Sequence, residues 1–574
     1  MISSQHYKIY INNIEDLYAA FSTPIKGVEI EIQEGVYSLT KPLAIIGCED
    51  VVVQGSRNVR LEGGKHFRGG FVQYEDNIYV KKLSETPFCR LYSNGIELSR
   101  ARFPANDSRD ESVTIRGKWD LGERILYLPI KYLSFVQEHV EIDVFDSWVH
   151  CFSHEYDYAV EEDRIKITFE EDVRSRIDAI NKCLAQEYID LCFFNSKYFL
   201  KKHGEWCFDK WSGNLYVQWN EDNINDVDFI VPVLENLLSI ENSKSIQLKN
   251  IQFAFSNWQQ PLTKQHACYQ ATIYKKNDSL YRPPAAVSVF NSQKITFTGI
   301  SIFDTGATGF DILPFCQDIT FQEGAIQRTG GNGICIGYFT EHSKIIAHKG
   351  LPYRPTDFSE VVSNVMIQNN RIKDIGIFEH AGTGILAGFC RDLYIFRNEV
   401  EGVSYSGIAI GWGWLNNALF SVISNIQVHN NKIINYLNSD LYDGAGIYFV
   451  GGQSGEKRSC ISGNYLVGTR GLGMIYLDEG CSHCLVENNV CDGNALKGLI
   501  YCHDYGNALH DLTIKRNFGK QNFFCVDFNI NPKGPTQKER NIFCEDIRVY
   551  TDKFDDQEAA QKIISESGCL LRVD

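Results

Sequence analysis

The sequence of 574 residues has little of three features that would each point to a particular class of protein. No run of 18 or more apolar residues occurs, so no transmembrane helix is expected. Positive charge is in deficit, with 56 Lys and Arg against 72 Asp and Glu, and this argues against a nucleic-acid or anionic-membrane partner. Proline is scarce, at 14 residues, while 44% of the residues are hydrophobic, so we expect a globular chain without disordered regions.

The amino terminus lacks the apolar stretch behind a basic one that marks an export signal. In a chain without such a signal, the 18 cysteines are expected to be reduced thiols. Cys481-Ser-His-Cys484 has no second pair at zinc spacing, and Cys484 occupies an apolar position of the repeat described next. We therefore expect a cytoplasmic protein without a metal ion or other cofactor.

What the sequence does contain is a repeat between about residues 246 and 517. Each copy has an apolar–x–apolar–x–x–Asn strand, followed by a second strand that opens on Gly. The asparagines of the clearest copies are Asn370, Asn398, Asn431, Asn464, Asn489 and Asn517. Their intervals of 28, 33, 33, 25 and 28 residues, with short strands and no helix, predict a parallel β-helix solenoid. We expect the asparagines to bend the chain at a corner, with left-handed backbone angles, and to stack as a hydrogen-bonded ladder.

The extent of the periodicity divides the chain into four parts. Residues 1–87 predict an N-terminal cap, with a helix over residues 12–22, and the first coils. Residues 88–235 hold strand-like segments without period and predict an inserted β-rich, sandwich-like domain. Residues 236–535 predict the main β-helix, and residues 536–574 a C-terminal strand and a capping helix.

The second strand of each copy carries a column of aromatic and polar residues. When the copies are aligned on the Gly that opens this strand, the fifth residue after the Gly is, in successive copies, Tyr338, Phe389, Trp412, Gly451, Asp478 and His503. Coils stacked roughly 4.8 Å apart would make this column a stripe. Aromatic faces beside carboxylates suit sugar rings, so we predict an oligosaccharide-binding stripe, with Trp414 on the same face as Trp412. The alternative is that these aromatics are stacked core residues.

Acidic residues cluster near this column. They are Asp440, Asp443, Asp478, Glu479 and Asp504. A single acid at a β-turn most often serves to form the turn, but several acids beside an aromatic column favour catalysis. Cleavage of a glycosidic bond needs one carboxylic acid and one carboxylate on neighbouring coils. The residues predicted to contact the sugar are Trp412, Trp414, Glu479, His503, Tyr448, Tyr338 and His380.

Three segments make the chain resemble a known family. They are Asp443-Gly-Ala-Gly-Ile-Tyr448, Ile475-Tyr-Leu-Asp-Glu-Gly480 and Ser406-Gly-Ile-Ala-Ile-Gly-Trp-Gly-Trp414. The chain resembles the right-handed parallel β-helix glycosidases of glycoside hydrolase family 141 and, more distantly, the β-xylosidases of family 120. The resemblance spans most of the chain and implies an all-β fold, with the catalytic acids at Asp443 and Asp478. Such families include α-L-fucosidases and xylan-cleaving enzymes, which implies a fucose- or xylose-type substrate.

Register favours a different partner for Asp478. Asp443 precedes its strand Gly by three positions, whereas Asp478 follows its own by five. A flat strand would hold these two acids farther apart than the roughly 5 to 9.5 Å of glycosidase pairs. Asp504, about one coil beyond Asp478, fits the register better. Asp478 is therefore the first candidate, with Asp443 second on resemblance and Asp504 third on geometry.

Three classes of function stay open at this point. The leading one is an exo-acting glycoside hydrolase that removes a terminal sugar from an oligosaccharide. A β-helix polysaccharide lyase or uronate epimerase would need a base beside a cation that neutralises the substrate carboxylate, and the column has no clustered Lys or Arg. A non-catalytic carbohydrate-binding solenoid would bind sugar without turnover. Assembly into a homo-oligomer is left undecided by the sequence.

Overall fold

The computed structural model describes most of the chain and shows a parallel β-helix with an inserted β-rich domain, which confirms the predicted fold class. The described residues are 7–84, 87–105, 114–221, 223–277, 279–339, 355, 357–414, 421–504, 508–520, 526–528, 536–545, 548–550 and 558–571. Among them, no helix has both the length and the apolar character needed to cross a membrane.

Three parallel sheets run along the axis of the β-helix, and successive coils add strands to each. The strands of sheet A are Tyr7–Ile11, Lys26–Ile32, Glu49–Glu62, Lys244–Ala254, Gln293–Thr298, Gln317–Gln322, Val362–Gln368, Cys390–Phe396, Ser424–His429, Ser459–Ser462, Ser482–Glu487, His510–Lys515 and Ile542–Glu545. Sheet B follows sheet A around a corner of each coil. It contains the second halves of the two longest strands, Glu49–Glu62 and Lys244–Ala254. Its other strands are Gly35–Ser38, Ser301–Thr305, Ala325–Thr329, Arg371–Ile375, Glu399–Val403, Lys432–Tyr436, Tyr465–Gly468, Val490–Gly493, Phe518–Lys520 and Arg548–Tyr550.

Sheet C carries the second strand of the sequence repeat. Its strands are Leu43–Ile46, Leu238–Glu241, Ala285–Phe290, Thr308–Ile312, Ile334–Ile336, Ile385–Ala387, Ile408–Ile410, Ile447–Phe449, Gly473–Leu477, Gly498–Cys502 and Val526–Phe528. Alternate side chains, such as Ile447 and Phe449, point into the coil and are fully buried. The residue between them, Tyr448, therefore lies on the outer face of sheet C.

The asparagine ladder at the corner between sheets A and B is confirmed. The side-chain amide of Asn398 donates to Oδ1 of Asn431 at 3.0 Å, and the same link repeats from Asn370 to Asn517. The backbone N–H of each donor also reaches the same oxygen. Left-handed φ angles occur one residue before each ladder position, for example 53° at Asn430, so the bend belongs to the preceding residue.

The inserted domain leaves the β-helix earlier than predicted. Gly64–Phe67 already pairs antiparallel with Phe229–Pro232 in a sheet outside the helix. The other strands of that first inserted sheet are Leu91–Ser93, Ile96–Arg100, Glu205–Asp209, Asn214–Gln218, Ile78–Lys82 and Val72–Glu75. The turn-rich segment before residue 88 has strand alternation but makes hairpins instead of coils, a difference that periodicity over one or two strands does not reveal.

A second inserted sheet is completed by a later part of the chain. His266–Gln270 pairs antiparallel with Val149–Ser153, far earlier in the sequence. The other strands are Tyr156–Glu161, Arg164–Phe169, Ile125–Pro129, Ile115–Asp120, Tyr188–Phe194, Glu141–Asp146, Ile273–Lys276, Ser279–Tyr281 and Arg102–Phe103. The short helical segments of the insertion are Ile130–Tyr132, Leu133–Gln137, Glu171–Leu184, Lys197–Phe199, Ile224–Asp226 and Gln260–Thr263.

Helices lie near both ends of the β-helix. The first, Ile14–Ala20, begins at Asn13, whose side chain accepts from the Asp16 amide at 2.8 Å, as the sequence predicts. The last, Glu558–Glu566, packs against the flank of sheet B. The residues after this helix run back along the coils. The helix therefore supports the side of the solenoid, whereas the sequence predicted a cap across its end. One further short turn, Phe358–Glu360, precedes a strand of sheet A.

Candidate active site

Asp478 lies at the end of a sheet C strand, between two residues supplied by neighbouring coils. Leu477 pairs with Cys502, which places His503 beside Asp478 on one side, and Tyr448 comes from the coil on the other side. Tyr448 donates its hydroxyl hydrogen to Oδ2 of Asp478 at 2.5 Å, and His503 Nδ1 lies 2.9 Å from Oδ1. Asp478 is only 6% exposed. These two contacts fix the orientation of a buried carboxylate and stabilise its negative charge.

Two further carboxyl groups respond to the charge of Asp478. Burial and the neighbouring Asp478 raise the pKa of Asp443 to about 7, against a smaller opposing effect of His503. Burial and the same charge raise the pKa of Glu479 to about 8. Burial lowers the pKa of His503, but its hydrogen bond to Asp478 and the nearby negative charges outweigh burial and raise it. Burial and like charge therefore shift Asp443 and Glu479 towards the protonated form near neutral pH, beside the hydrogen-bonded carboxyl group of Asp478.

The charge of Asp478 acts on Asp443, although the two residues stand at opposite ends of adjacent sheet C strands. The intervening strand, Ile447–Phe449, has only three residues, and a turn precedes it. Burial raises the pKa of Asp443 and the charge of Asp478 raises it further, which keeps Asp443 as a candidate partner of Asp478.

The inserted domain fixes the backbone of Asp443. The amides of Tyr442 and Asp443 both donate to the carbonyl of Ser147, at 2.9 and 3.0 Å. The hydroxyl of Tyr405 donates to the carbonyl of Asp443 at 2.5 Å and accepts from Nε2 of Gln270 at 2.9 Å. Ser147 and Gln270 were missed by sequence reasoning, because no period or motif connects the insertion to a particular coil.

The predicted aromatic column contains a shift of one residue. Ile447 pairs with Ile475, and Phe449 with Leu477, so the coil of Asp478 is displaced by one relative to its opening Gly. Gly451 consequently lies beside Glu479, and its amide donates to the Glu479 carbonyl at 3.2 Å. The aromatic residues of the earlier coils therefore fall in register with Glu479. Asp478 and His503 share the outer face with a different column, Tyr448, Tyr476 and Tyr501.

Trp412 belongs to the core and not to an exposed stripe. It is 1% exposed, and its ring lies 4.9 Å from that of Phe339 and 5.1 Å from that of Trp414. The flanking glycines, predicted to leave open space, allow close packing instead. Trp414 is only partly buried, and its indole N–H donates to the Tyr448 hydroxyl at 2.9 Å, which links it to Asp478. A hydrogen bond therefore connects Trp414 to the site.

Three other predicted residues lie elsewhere. Asp504 is 2% exposed and forms an ion pair with Arg540, and its Oδ1 accepts from the Leu509 amide at 3.1 Å, contacts typical of a structural carboxylate. Tyr338 lies four coils from Glu479, which is about 19 Å at roughly 4.8 Å per coil. The backbone N–H of His380 donates to Nδ1 of His150 at 3.1 Å, in a buried contact with the insertion.

The donor atoms of Asp478, Glu479 and His503 all lie within 4.8 Å of one another. A second group with the same property, His483, His510 and Asp511, lies on the outer face of sheet A. Either set offers nitrogen and oxygen ligands of the type that zinc accepts. In the first set, however, His503 Nδ1 and both oxygens of Asp478 are already engaged in the contacts described above.

Comparison with known proteins gives fold-level similarity. No family model and no curated protein matches the chain. A solved structure described as "Glycoside hydrolase" is similar over 98% of this chain and 99% of its own, with a TM-score of 0.74 and 21% identity. Weaker similarities, at 10% identity, are to XylC in complex with xylose (TM-score 0.43, 96% of this chain and 85% of that one) and to a GH136 lacto-N-biosidase from Eubacterium ramulus (TM-score 0.44, 95% and 68%). The first similarity confirms, for the fold, the likeness to β-helix glycosidases that the sequence indicated.

Proposed function

We propose that this protein is a glycoside hydrolase that removes a terminal sugar from an oligosaccharide. The observation that carries the proposal is the cluster in which Tyr448 and His503 orient the Asp478 carboxyl group while Asp443 and Glu479 have pKa values raised to about 7 and about 8. Glycosidases require a division between a charged and a protonated carboxyl group. Fold similarity to a glycoside hydrolase along nearly the whole chain supports the same assignment.

The contacts suggest a role for each residue. Asp478 is the nucleophile, or the base that activates water, and Tyr448 and His503 orient it. Asp443 is the general acid that protonates the leaving oxygen, because its raised pKa keeps the proton available near pH 7. Glu479 is the competing candidate for the acid. Trp414 is placed to contact the sugar beside Tyr448.

The surroundings of Asp478 favour a terminal sugar over the interior of a polymer. Tyr448, Tyr476 and Tyr501, on the outer face of sheet C, are each at most 4% exposed. A polymer lying along this face would need it open to solvent over several coils. An enclosed site admits the end of a chain, and fucose- or xylose-type sugars are the substrates to test first.

The test begins with a panel of nitrophenyl glycosides of fucose, xylose, galactose and arabinose, with product anomers followed by NMR. For the hydrolysed sugar, Asp478→Asn should lower kcat roughly a hundredfold or more at little cost in stability. Glu456→Gln, a carboxylate with a 65% exposed side chain, is the matched control and should keep full activity. For a retaining enzyme, azide should restore turnover in Asp478→Ala, where the missing side chain leaves room for the anion, with formation of a glycosyl azide. Normal turnover by Asp478→Asn would reject the catalytic assignment.

A further inference from the structure

A cavity of about 280 Å³ lies between the two sheets of the inserted domain and shares no lining residue with the cluster around Asp478. The first inserted sheet contributes Arg100 and Tyr216 to its lining, and the second contributes Glu141. Its volume is just below the usual range for small-molecule sites, which begins near 300 Å³. The cavity is therefore suited to one small ligand unit and not to an extended chain.

The floor of this cavity is built from buried charged groups. Arg100 donates to both oxygens of Glu141 at 2.9 Å, and Glu141 is 1% exposed. His154 Nδ1 lies 3.1 Å from the same carboxylate, and its Nε2 lies 2.6 Å from the carbonyl oxygen of Pro261. Both ring nitrogens face acceptors, so His154 is held in place by contacts within the protein. The Nε–H of Arg100 has no acceptor in the described structure but is itself buried, and the guanidinium lies over the ring of Phe378 at 5.4 Å.

The rim has the opposite character. Trp211 lines the mouth of the cavity and is 79% exposed, although indole is the side chain with most to gain from burial. Lys210 lies 4.9 Å from its ring centroid and leaves most of the ring open to solvent. Tyr216 adds a second aromatic wall. A polar floor below an open aromatic face matches a pyranose ring, whose hydroxyl groups need polar partners and whose C–H face packs on aromatic rings.

The charges of the lining favour a neutral ligand. The lining holds three carboxylates, Glu138, Glu141 and Asp209, and three cations, Arg100, Lys197 and Lys210, so its formal charges balance and favour neither an anionic nor a cationic ligand. The charge of Arg100 is already used by Glu141. We propose that this cavity is a second sugar site, separate from the catalytic cluster, which binds one neutral pyranose unit against the exposed ring of Trp211.

The full-length protein can be tested by saturation-transfer NMR and tryptophan fluorescence, with D-xylose, L-fucose and D-galactose as neutral probes and D-glucuronate as the charged one. Trp211→Ala should raise the Kd of the bound neutral sugar about tenfold or more, since the ring stacking is lost. Phe358→Ala removes another exposed aromatic ring (62% exposed) that is not part of the cavity lining. This control variant should leave the Kd unchanged. Because Trp211 is exposed, its variant should melt like the parent protein.

A second variant separates this cavity from the catalytic cluster. Trp414→Phe alters the residue that contacts Tyr448 and should leave sugar binding at the Trp211 site intact. Binding that survives Trp211→Ala but is lost in Trp414→Phe would overturn the proposal, as would a lack of binding by every neutral probe. Tighter binding of glucuronate than of the neutral sugars would overturn the assignment of a neutral ligand. Each of these results is independent of whether the protein hydrolyses a glycoside.

Discussion

At the scale of single residues, the site shows how position gives identical side chains different chemistry. Asp478, Asp443 and Asp504 all lie near the ends of sheet C strands. Asp478 contacts Tyr448 and His503, Asp443 is held through its backbone carbonyl by Tyr405, and Asp504 is neutralised by Arg540. Environment thus assigns a carboxylate, an acid and a structural ion pair to the three residues.

If Asp443 is the general acid, its removal should matter most for poor leaving groups. Asp443→Asn should lower kcat/KM about a hundredfold or more for a methyl or sugar leaving group, and far less for dinitrophenol, which departs without protonation. In the parent protein, activity should fall as pH rises through about 7, where Asp443 loses its proton. The pH profile of Asp443→Asn should lack that limb. A limb near pH 8 that persists in Asp443→Asn would give the role of acid to Glu479.

The burial of Trp412 predicts a stability effect and not a loss of substrate affinity. Trp412→Ala should lower the free energy of unfolding by about 3–5 kcal/mol, because a large fully buried side chain leaves a cavity. Trp211→Ala makes the same change at an exposed position and should cost no more than about 0.5 kcal/mol. Denaturant melts of the two variants give the comparison. A raised KM with unchanged stability in Trp412→Ala would return Trp412 to the sugar-binding surface.

At the scale of strands and turns, the repeat could be predicted because one side chain marks each coil. The asparagine ladder uses the same donor and acceptor at every step, so its spacing appears directly in the sequence. The register of sheet C could not be read in this way. The Gly that opens each strand does not fix the length of the preceding turn. As a result, Ile447, one residue after Gly446, pairs with Ile475, two residues after Gly473. That single residue separated Asp478 from the aromatic column.

Removal of one ladder residue should cost more than one hydrogen bond. In Asn431→Ala, the amide and side-chain donors of Asn398 lose their acceptor, and the carbonyl of Ile395 loses its donor, all at buried positions. At about 1–3 kcal/mol for each unsatisfied buried group, we expect a loss of roughly 3 kcal/mol or more. The control is Gln427→Ala, on the solvent-facing side of Ser424–His429, the strand that precedes Asn431. It should lower the free energy of unfolding by less than about 1 kcal/mol. Equal effects in chemical denaturation would show that the ladder adds no stability of its own.

At the scale of the whole molecule, contacts between distant parts of the chain hold the coils together and complete the site. A solenoid alone has contacts only between neighbouring coils. Here the insertion contributes the Ser147 carbonyl and Gln270 to the surroundings of Asp443. The C-terminal segment makes similar long-range contacts: the Gly568 amide donates to the Asn430 carbonyl, and the Leu570 amide donates to Oδ1 of Asn369. None of these contacts follows from periodicity, so the sequence could predict the coils but not what joins them.

The C-terminal helix should therefore stabilise only the coils on which it packs. Ala560 is fully buried against Val490 and Phe518, and Ala560→Asp would place a charge there, at a cost of several kcal/mol, and detach the helix. Because coupling in a solenoid passes mainly between neighbouring coils, hydrogen exchange should rise in strands from about residue 460 onward and stay unchanged before residue 340. Lys562→Asp, on the exposed face of the helix, should leave exchange unaltered throughout. A uniform increase along the whole chain after Ala560→Asp would show instead that the molecule unfolds as one cooperative unit, with the insertion and the C-terminal segment coupling every coil.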